Sequence, residues 1–166
     1  YEAQPLIVRS HHGTYALATV SKINNMEELA DEIIKKGGTH FLEMSGGHIN
    51  ATELVGTLIN QKDNLIEGIH YAQERIDGTL SLLLLTADGL YCARDKLGRV
   101  PVVLGKKENG YCATFESSAY LNLEYEHYRE LGPGEIVIMT PDHVRTLMAP
   151  GKKMKICTFL WIYYGY

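Results

Sequence analysis

Hydrophobic and polar positions change period several times along this chain, and each change marks an element. The densest apolar stretch runs from Gly78 to Ala119, GTLSLLLLTADGLYCARDKLGRVPVVLGKKENGYCATFESSA, with Leu82 to Leu85 at its centre. Asp88-Gly89 separates LSLLLLTA from LYCAR, and Asn109-Gly110 separates PVVLG from YCATF. Both dipeptides suit two-residue hairpin turns because both central positions accept positive φ at low cost. The stretch therefore predicts a meander of about four antiparallel strands as the core sheet.

Upstream, QPLIVRSHHGTYALATVSKI predicts a hairpin that pairs Leu6, Ile7 and Val8 with Tyr15 to Ile23 and turns near Gly13. A helix follows, with Asn25 as its cap, Glu28 in the capping-box position and Gly37 beyond its last turn. Leu29, Ala30, Ile33 and Ile34 recur at helical spacing and predict its buried face. The Gly-rich GGTHFLEMSGGHIN reads as a flexible connector, since Gly46-Gly47 carries no phosphate-loop spacing. Asn50 then caps a second helix that turns Leu54, Val55, Leu58 and Ile59 inward. A third, from about Leu65 to Ile76, places Ile66, Ile69, Ala72 and Ile76 on one face. After the meander, the LGPGE turn feeds a last hairpin, EIVIMTPDHVRTLM, folded around Pro141-Asp142. Strands, then helices, then many antiparallel strands imply an α+β domain with helices stacked on a sheet.

Composition narrows the partners. The 166 residues fit one domain, and 45% hydrophobic residues can bury a sizeable core. A net charge of -4 with 22% charged residues leaves no basic excess, which argues against nucleic acid or an anionic membrane as partner. No apolar run approaches the roughly 18 residues of a membrane span. Cys92, Cys112 and Cys157 are too few and too scattered for a disulfide framework, so a reducing cytoplasm is expected. The chain opens at Tyr1 and closes on FLWIYYGY. A surface strand ending on Trp161, Tyr163, Tyr164 and Tyr166 would expose a large apolar patch, so the sequence is expected to be a piece of a longer protein that contacts its own downstream domain.

Candidate chemistry among the residues themselves is sparse. His11 and His12 read as a solvated pair at a turn, with no third ligand at metal spacing, and His48 as an ordinary loop histidine. Cys92 and Cys112 fall in predicted strands and read as packing thiols rather than nucleophiles. Glu27-Glu28, Asp31-Glu32 and Glu124-Tyr125-Glu126 read as solvated surface charge. The residues alone assign no function.

Several segments resemble a known family. DKLGRVPVVLG resembles the Asp-x-x-Gly-x-x-Pro-(Leu/Val) turn and strand of class II glutamine amidotransferase domains, and ATFESSA resembles the (Ala/Ser)-x-Glu-(Ser/Thr)-x-Ala segment that follows it. LGPGEIVIM resembles their Pro-Gly-Glu turn and strand. QPLIVRS, INATELVGTLI and KICTFLWIYYGY are similar, in order, to the layout of amidophosphoribosyltransferases, the enzymes that open purine synthesis. The resemblance runs from Ala3 to Tyr166. It implies an N-terminal nucleophile hydrolase fold, an αββα sandwich of two antiparallel sheets between helical layers, here incomplete at the N-terminus. Residues 1–166 would be a partial class II glutamine amidotransferase domain without its N-terminal part or the downstream phosphoribosyltransferase domain. In that family an N-terminal cysteine attacks the side-chain amide of glutamine with its own α-amino group as base. The released ammonia passes to the phosphoribosyltransferase domain, which makes phosphoribosylamine. That cysteine and an Arg-containing substrate clamp would lie ahead of Tyr1, so no catalytic residue is expected in the chain, and DKLGRVP and ATFESSA are expected to be scaffold.

The departures from the family pattern carry a further expectation. Thr19-Val20-Ser21 stands where the family has His-Asn-Gly, whose Asn side chain and Gly amide form the oxyanion hole. Ala51-Thr52 stands where a Ser-Ser-Asp-Thr-Glu pattern has the aspartate that holds the amino group of glutamine, so Ala51 replaces it. Valine cannot donate a hydrogen bond, and losing one oxyanion donor typically costs about 100- to 1000-fold in rate. Thr19, Val20, Ser21, Ala51 and Thr52 therefore read as a degenerate glutamine pocket, with glutamine a doubtful ligand and its hydrolysis weak or absent. Cys157 stands where some members place the first cysteine of a structural iron-sulfur cluster. The chain itself is expected to hold no cofactor, the cluster and Mg belonging to the full-length protein. The implied partners are the downstream phosphoribosyltransferase domain and further copies in a homo-oligomer. A second reading is a non-catalytic regulatory or docking module derived from the same fold, and a native start on cysteine would discriminate against it.

Overall fold

A computed structural model describes residues 4–37, 44–45 and 48–164; for Met44, Ser45, His48, Trp161, Tyr163 and Tyr164 only the backbone is described. The readings of Gly46-Gly47, the His48 side chain and Tyr166 lie outside the described residues. The expected first hairpin forms from β1 (Leu6–Ser10) and β2 (Gly13–Ile23), with Leu6 opposite Leu17 and Ser10 opposite Gly13.

Helix α1 (Met26–Lys35) buries Leu29, Ala30 and Ile33, but Ile34 is 50% exposed. It lies about 100° further round the helix than Ile33 and misses the sheet. Asn25 does not cap α1 through its side chain. Its Nδ2 donates to the Arg75 carbonyl at 3.1 Å and its Oδ1 accepts from Asp77 N at 3.0 Å, tying the start of α1 to a later turn. A short pair, β3 (Met44–Ser45) and β4 (His48–Ile49), precedes α2 (Ala51–Ile59). Asn50 caps α2 as expected, its Oδ1 accepting from Thr52 N at 2.8 Å and Glu53 N at 3.3 Å. Leu54, Val55, Leu58 and Ile59 are all buried. In α3 (Leu65–Arg75), Ile69 and Ala72 are buried, as is Ile76 just beyond it, whereas Ile66 is half-buried. Gly68 is what lets α3 approach α2, because a Cβ there would fall 2.4 Å from the Ile59 carbonyl oxygen.

Both tight turns of the predicted meander form, but its strands belong to two sheets. Strands β5 (Gly78–Thr86) and β6 (Gly89–Ala93) pair within one sheet, and β7 (Val103–Lys107) and β8 (Gly110–Thr114) within another. After them come α4 (Ser117–Leu121), β9 (Glu126–Glu130), β10 (Ile136–Met139) and β11 (Val144–Met148). The larger sheet has six strands in the order β1-β2-β5-β6-β10-β11, and the smaller has three in the order β8-β7-β9. Helix α4 and strand β9 were not expected from the sequence. The C-terminal FLWIYY, expected as a strand, forms α5 (Thr158–Tyr164). No strand pairs with it among the described residues, so its backbone groups are satisfied locally.

Helices α1, α2 and α3 cover one face of the larger sheet, where Leu17, Leu80, Leu82 and Leu84 meet Leu54, Leu58 and Ile69. On the opposite face, Cys92, Val137 and Met139 pack against Val102, Leu104 and Leu131 of the smaller-sheet side. This helix-sheet-sheet layering is the expected α+β architecture. Among the described residues no helix is long and apolar enough to cross a membrane.

The two sheets are joined at residues 94–102, and Asp95, 1% exposed, organises that turn. Its Oδ2 accepts from Leu97 N at 3.1 Å, Arg99 N at 3.0 Å and Arg99 Nε at 3.4 Å, while Oδ1 accepts from Leu80 N at 3.4 Å. Gly98 takes φ 69°, and its carbonyl accepts from Arg94 Nη2 at 2.7 Å. Arg94, 4% exposed, also bonds Glu130 at 2.6 Å and the Leu131 carbonyl. The LGPGE turn closes on the same point, since Gly134 N donates to the Asp95 carbonyl at 2.9 Å and Glu135 O accepts from Arg94 N at 3.1 Å.

Two predictions follow from these contacts. Asp95→Ala strands three amides and a guanidinium, so it should lower unfolding stability by about 3 to 5 kcal/mol in urea titration. A loss below about 1 kcal/mol would mean that the turn does not depend on the carboxylate. The second concerns Glu32, read from sequence as solvated charge but bonded to Arg75 and, at 2.5 Å, to Lys36. Arg75 first and Lys36 second hold its carboxyl down to about 2. The unfolded value is higher, so the resulting stability is present above about pH 4.5 and fades as pH falls towards 2. Glu32→Gln should flatten the stability-pH curve in that window, measured by thermal unfolding.

Candidate functional site

Strand alternation splits the five predicted pocket positions between two faces. Thr19, 6% exposed, points towards the helices, and its Oγ1 lies 2.7 Å from Oγ1 of Thr52, which is fully buried. Thr19 N donates to Gln4 Oε1 at 2.8 Å. Ala51, 8% exposed, opens α2 beside Thr52. Thr19 and Thr52 thus meet beneath the start of α2, where each hydroxyl is occupied by the other. Ser21 follows on the same strand and is half-buried.

Val20 faces the other way and is 41% exposed. With Val100, Pro101, Phe115, Glu116 and Leu160 it lines a cleft of about 420 Å³ between β2 and the turn that joins the sheets. The walls are mainly apolar, and Glu116 supplies the one charged side chain among the lining residues. Thr114, also lining it, donates its hydroxyl to the Glu116 carbonyl at 3.0 Å and accepts from Glu116 N at 3.1 Å, which fixes the corner of ATFESSA. Arg99 is directed to the Gly78 carbonyl and to Asp95. Pro101, Glu116 and Ala119, from segments expected to be scaffold, share the cleft with Val20. Family-like residues in both segments could have signalled this, but their meeting depends on the crossing between sheets.

The thiols divide by burial. Cys92 is fully buried, and loss of solvation pushes its thiol up to about 12, so it stays protonated at neutral pH. Cys112 is half-buried in β8 and its thiol is also raised, chiefly by burial. Both fit the expected packing role. Cys157 is half-buried and borders a cavity of about 140 Å³ with Arg94, Arg99, Pro101 and Glu130. An iron-sulfur cluster needs several thiolates. Among the described residues no group of three or more His, Cys, Asp or Glu side chains is placed to hold a metal.

The histidine pair is more than solvated. His11 Nε2 donates to the Lys62 carbonyl at 2.9 Å, fastening the β1–β2 turn to the loop before α3, and the His11 and His12 rings lie with centroids 3.9 Å apart, tilted by 45°. Burial, and then the neighbouring His11, lowers the pKa of His12.

Comparison with known proteins places this arrangement. A family model described as a glutamine amidotransferase domain matches residues 1–122. An amidophosphoribosyltransferase of Methanocaldococcus jannaschii is 31% identical over 81% of this chain and 28% of that protein. Its Homo sapiens counterpart is 25% identical over 98% of this chain and 35% of that protein. The chain thus spans about a third of the length of the relatives it matches. A solved glutamine phosphoribosylpyrophosphate amidotransferase from B. subtilis superposes with a TM-score of 0.83 at 24% identity, covering 99% of this chain and 36% of that one. The fold is shared with that structure, an N-terminal nucleophile hydrolase fold. With the family model covering most of its length, the chain belongs to the glutamine amidotransferase domain family.

Proposed function

We propose that this chain is the glutamine amidotransferase part of an amidophosphoribosyltransferase-like enzyme of the cytoplasm. In this reading it works beside a phosphoribosyltransferase domain of the same longer polypeptide, in a homo-oligomer, and its own glutaminase step is weak or absent. Family membership, the order of the motifs and the names of the relatives support the first part. The observation that carries the second is Val20, whose side chain faces the candidate cleft.

Hydrolysis of an amide passes through an oxyanion, and donors preorganised at that oxygen supply much of the rate. The position where the family resemblance expects an Asn amide holds an isopropyl group set among the apolar side chains of Val100, Pro101 and Phe115. Ala51, where that resemblance expects an aspartate for the amino group of glutamine, carries no charge. A cluster at Cys157 would require thiolates from elsewhere in the longer polypeptide, and Mg would belong to its transferase part.

The test is the nitrogen dependence of the native full-length protein. Phosphoribosylamine formation should proceed with free ammonia, while ammonia release from glutamine should run at least about 100-fold below the rate of ordinary amidotransferases. An ordinary glutamine-dependent rate would overturn the degenerate-pocket reading, and no product with ammonia would overturn the transferase assignment. Val20→Asn restores a donor and should raise the glutamine-dependent rate about tenfold or more.

A further inference from the structure

The β1–β2 hairpin is fastened to the C-terminal end of α2 by two contacts that respond differently to pH. Tyr15 donates its hydroxyl to Asn60 Oδ1 at 3.0 Å, and burial pushes that phenol up to about 12, so it keeps its proton at neutral and acid pH. Nearer the turn, His11 Nε2 donates to the Lys62 carbonyl at 2.9 Å. The half-buried His12 lies beside the same carbonyl and that of Ile59, and its backbone amide donates to Ser10 Oγ at 3.2 Å. Among the described residues its Nε2 is buried without a hydrogen-bond partner.

The two rings are therefore set around one acceptor. With centroids 3.9 Å apart, they can accept one proton between them, but a second places two like charges in contact beside a single carbonyl. The groups around the pair do not cancel that repulsion. Asp63 and the carbonyls of Ile59 and Lys62 favour a charged His12, yet burial and then His11 outweigh them and lower its pKa. The Lys62 ammonium sits over the Tyr71 ring of α3 at 4.4 Å, and Arg9 of β1 lines a cavity with Glu53 and Thr57 of α2. An unfolded imidazole takes its proton near 6.5 and the folded one at lower pH. The stability of this contact is thus fully present above about 6.5 and is lost as pH falls through the lower, folded value.

We infer that His11 and His12 form a pH-sensitive latch, which holds the β1–β2 turn on the end of α2 while the pair carries no more than one proton and releases it when both rings are charged. Histidine is the side chain suited to such a change near neutrality. Strand β2 and helix α2 meet again at Thr19 and Thr52, whose hydroxyls lie 2.7 Å apart. Release at the turn therefore loosens one end of the β2–α2 contact and leaves the other end held. The inference does not depend on whether glutamine is hydrolysed.

Two measurements on the full-length protein test it. In an NMR titration with isotope-labelled histidine rings, assigned with His11→Gln and His12→Gln, the pair should titrate in two steps more than about one pH unit apart, the lower one below 6.5. A single step near 6.5 for both rings would overturn the inference. Hydrogen exchange then reads the release, as protection factors corrected for the intrinsic effect of pH. The Gln61 amide donates to the Leu58 carbonyl at 3.1 Å and the Lys62 amide to that of Ile59 at 3.3 Å. Their protection should fall at least about tenfold across the lower step, while that of residues 17–20 in β2 holds. Unchanged protection at residues 61 and 62 would overturn the latch, and so would an equal loss at residues 17–20, which would assign the change to general acid unfolding. His12→Gln removes the second charge and should keep the protection at acid pH; a loss equal to that of the unsubstituted protein would also overturn the inference. The titration of the unsubstituted protein stands whether or not the variant folds.

Discussion

Taking a carboxylate out of water costs several kcal/mol unless its oxygens are filled. Asp95, 1% exposed, meets that demand with the amides of Leu80, Leu97 and Arg99 and with the Arg99 guanidinium. These donors come from β5 and from the turn leading to β7, so satisfying one charge fixes how the chain leaves one sheet and enters the next. Ser81 extends the link, its hydroxyl accepting from Asp95 N at 3.0 Å and donating to the Val100 carbonyl at 3.1 Å. Pro101, one wall of the cleft, is held in place by that chain of bonds. Arg94 and Glu135 brace the turn from the side of β9 and β10.

With the sheets so disposed, the period of two along β2 decides what each candidate residue can do. Thr19 is spent on Thr52 in the helix-facing layer, whereas Val20 reaches the space between β2 and the crossing turn. The cleft is lined mainly by apolar side chains, and Glu116 is the one charged residue among those that line it.

Local signals were the legible ones. Asn50 was recognisable as a cap because its side chain needs only the amides two and three residues on, and Asp88-Gly89 and Asn109-Gly110 as turns because positive φ is a property of the dipeptide. Asn25 carried the same cap-like pattern, but the backbone around Arg75 and Asp77 offered competing partners from a distant segment. Glu32 read as surface charge because Arg75 is remote in sequence. In FLWIYY, strand propensity gave way to a helix, since propensity for a strand means little without a neighbour to pair with.

Residue order alone carried most of the elements, though not α4, β9 or the helical state of α5, together with the α+β class, the buried face of α2 and, through its ordered motifs, the family. Each of these rests on short-range periodicity or on residues close together in the chain. Long-range contacts were needed to divide the apparent four-strand meander between two sheets, to set Thr19 against Thr52 while Val20 meets the cleft, and to bring Pro101 and Glu116 beside Val20. Those outcomes depend on which distant backbone amides fill a buried carboxylate and on which strand lies beside which. Neither the period nor the identity of nearby residues encodes that choice directly.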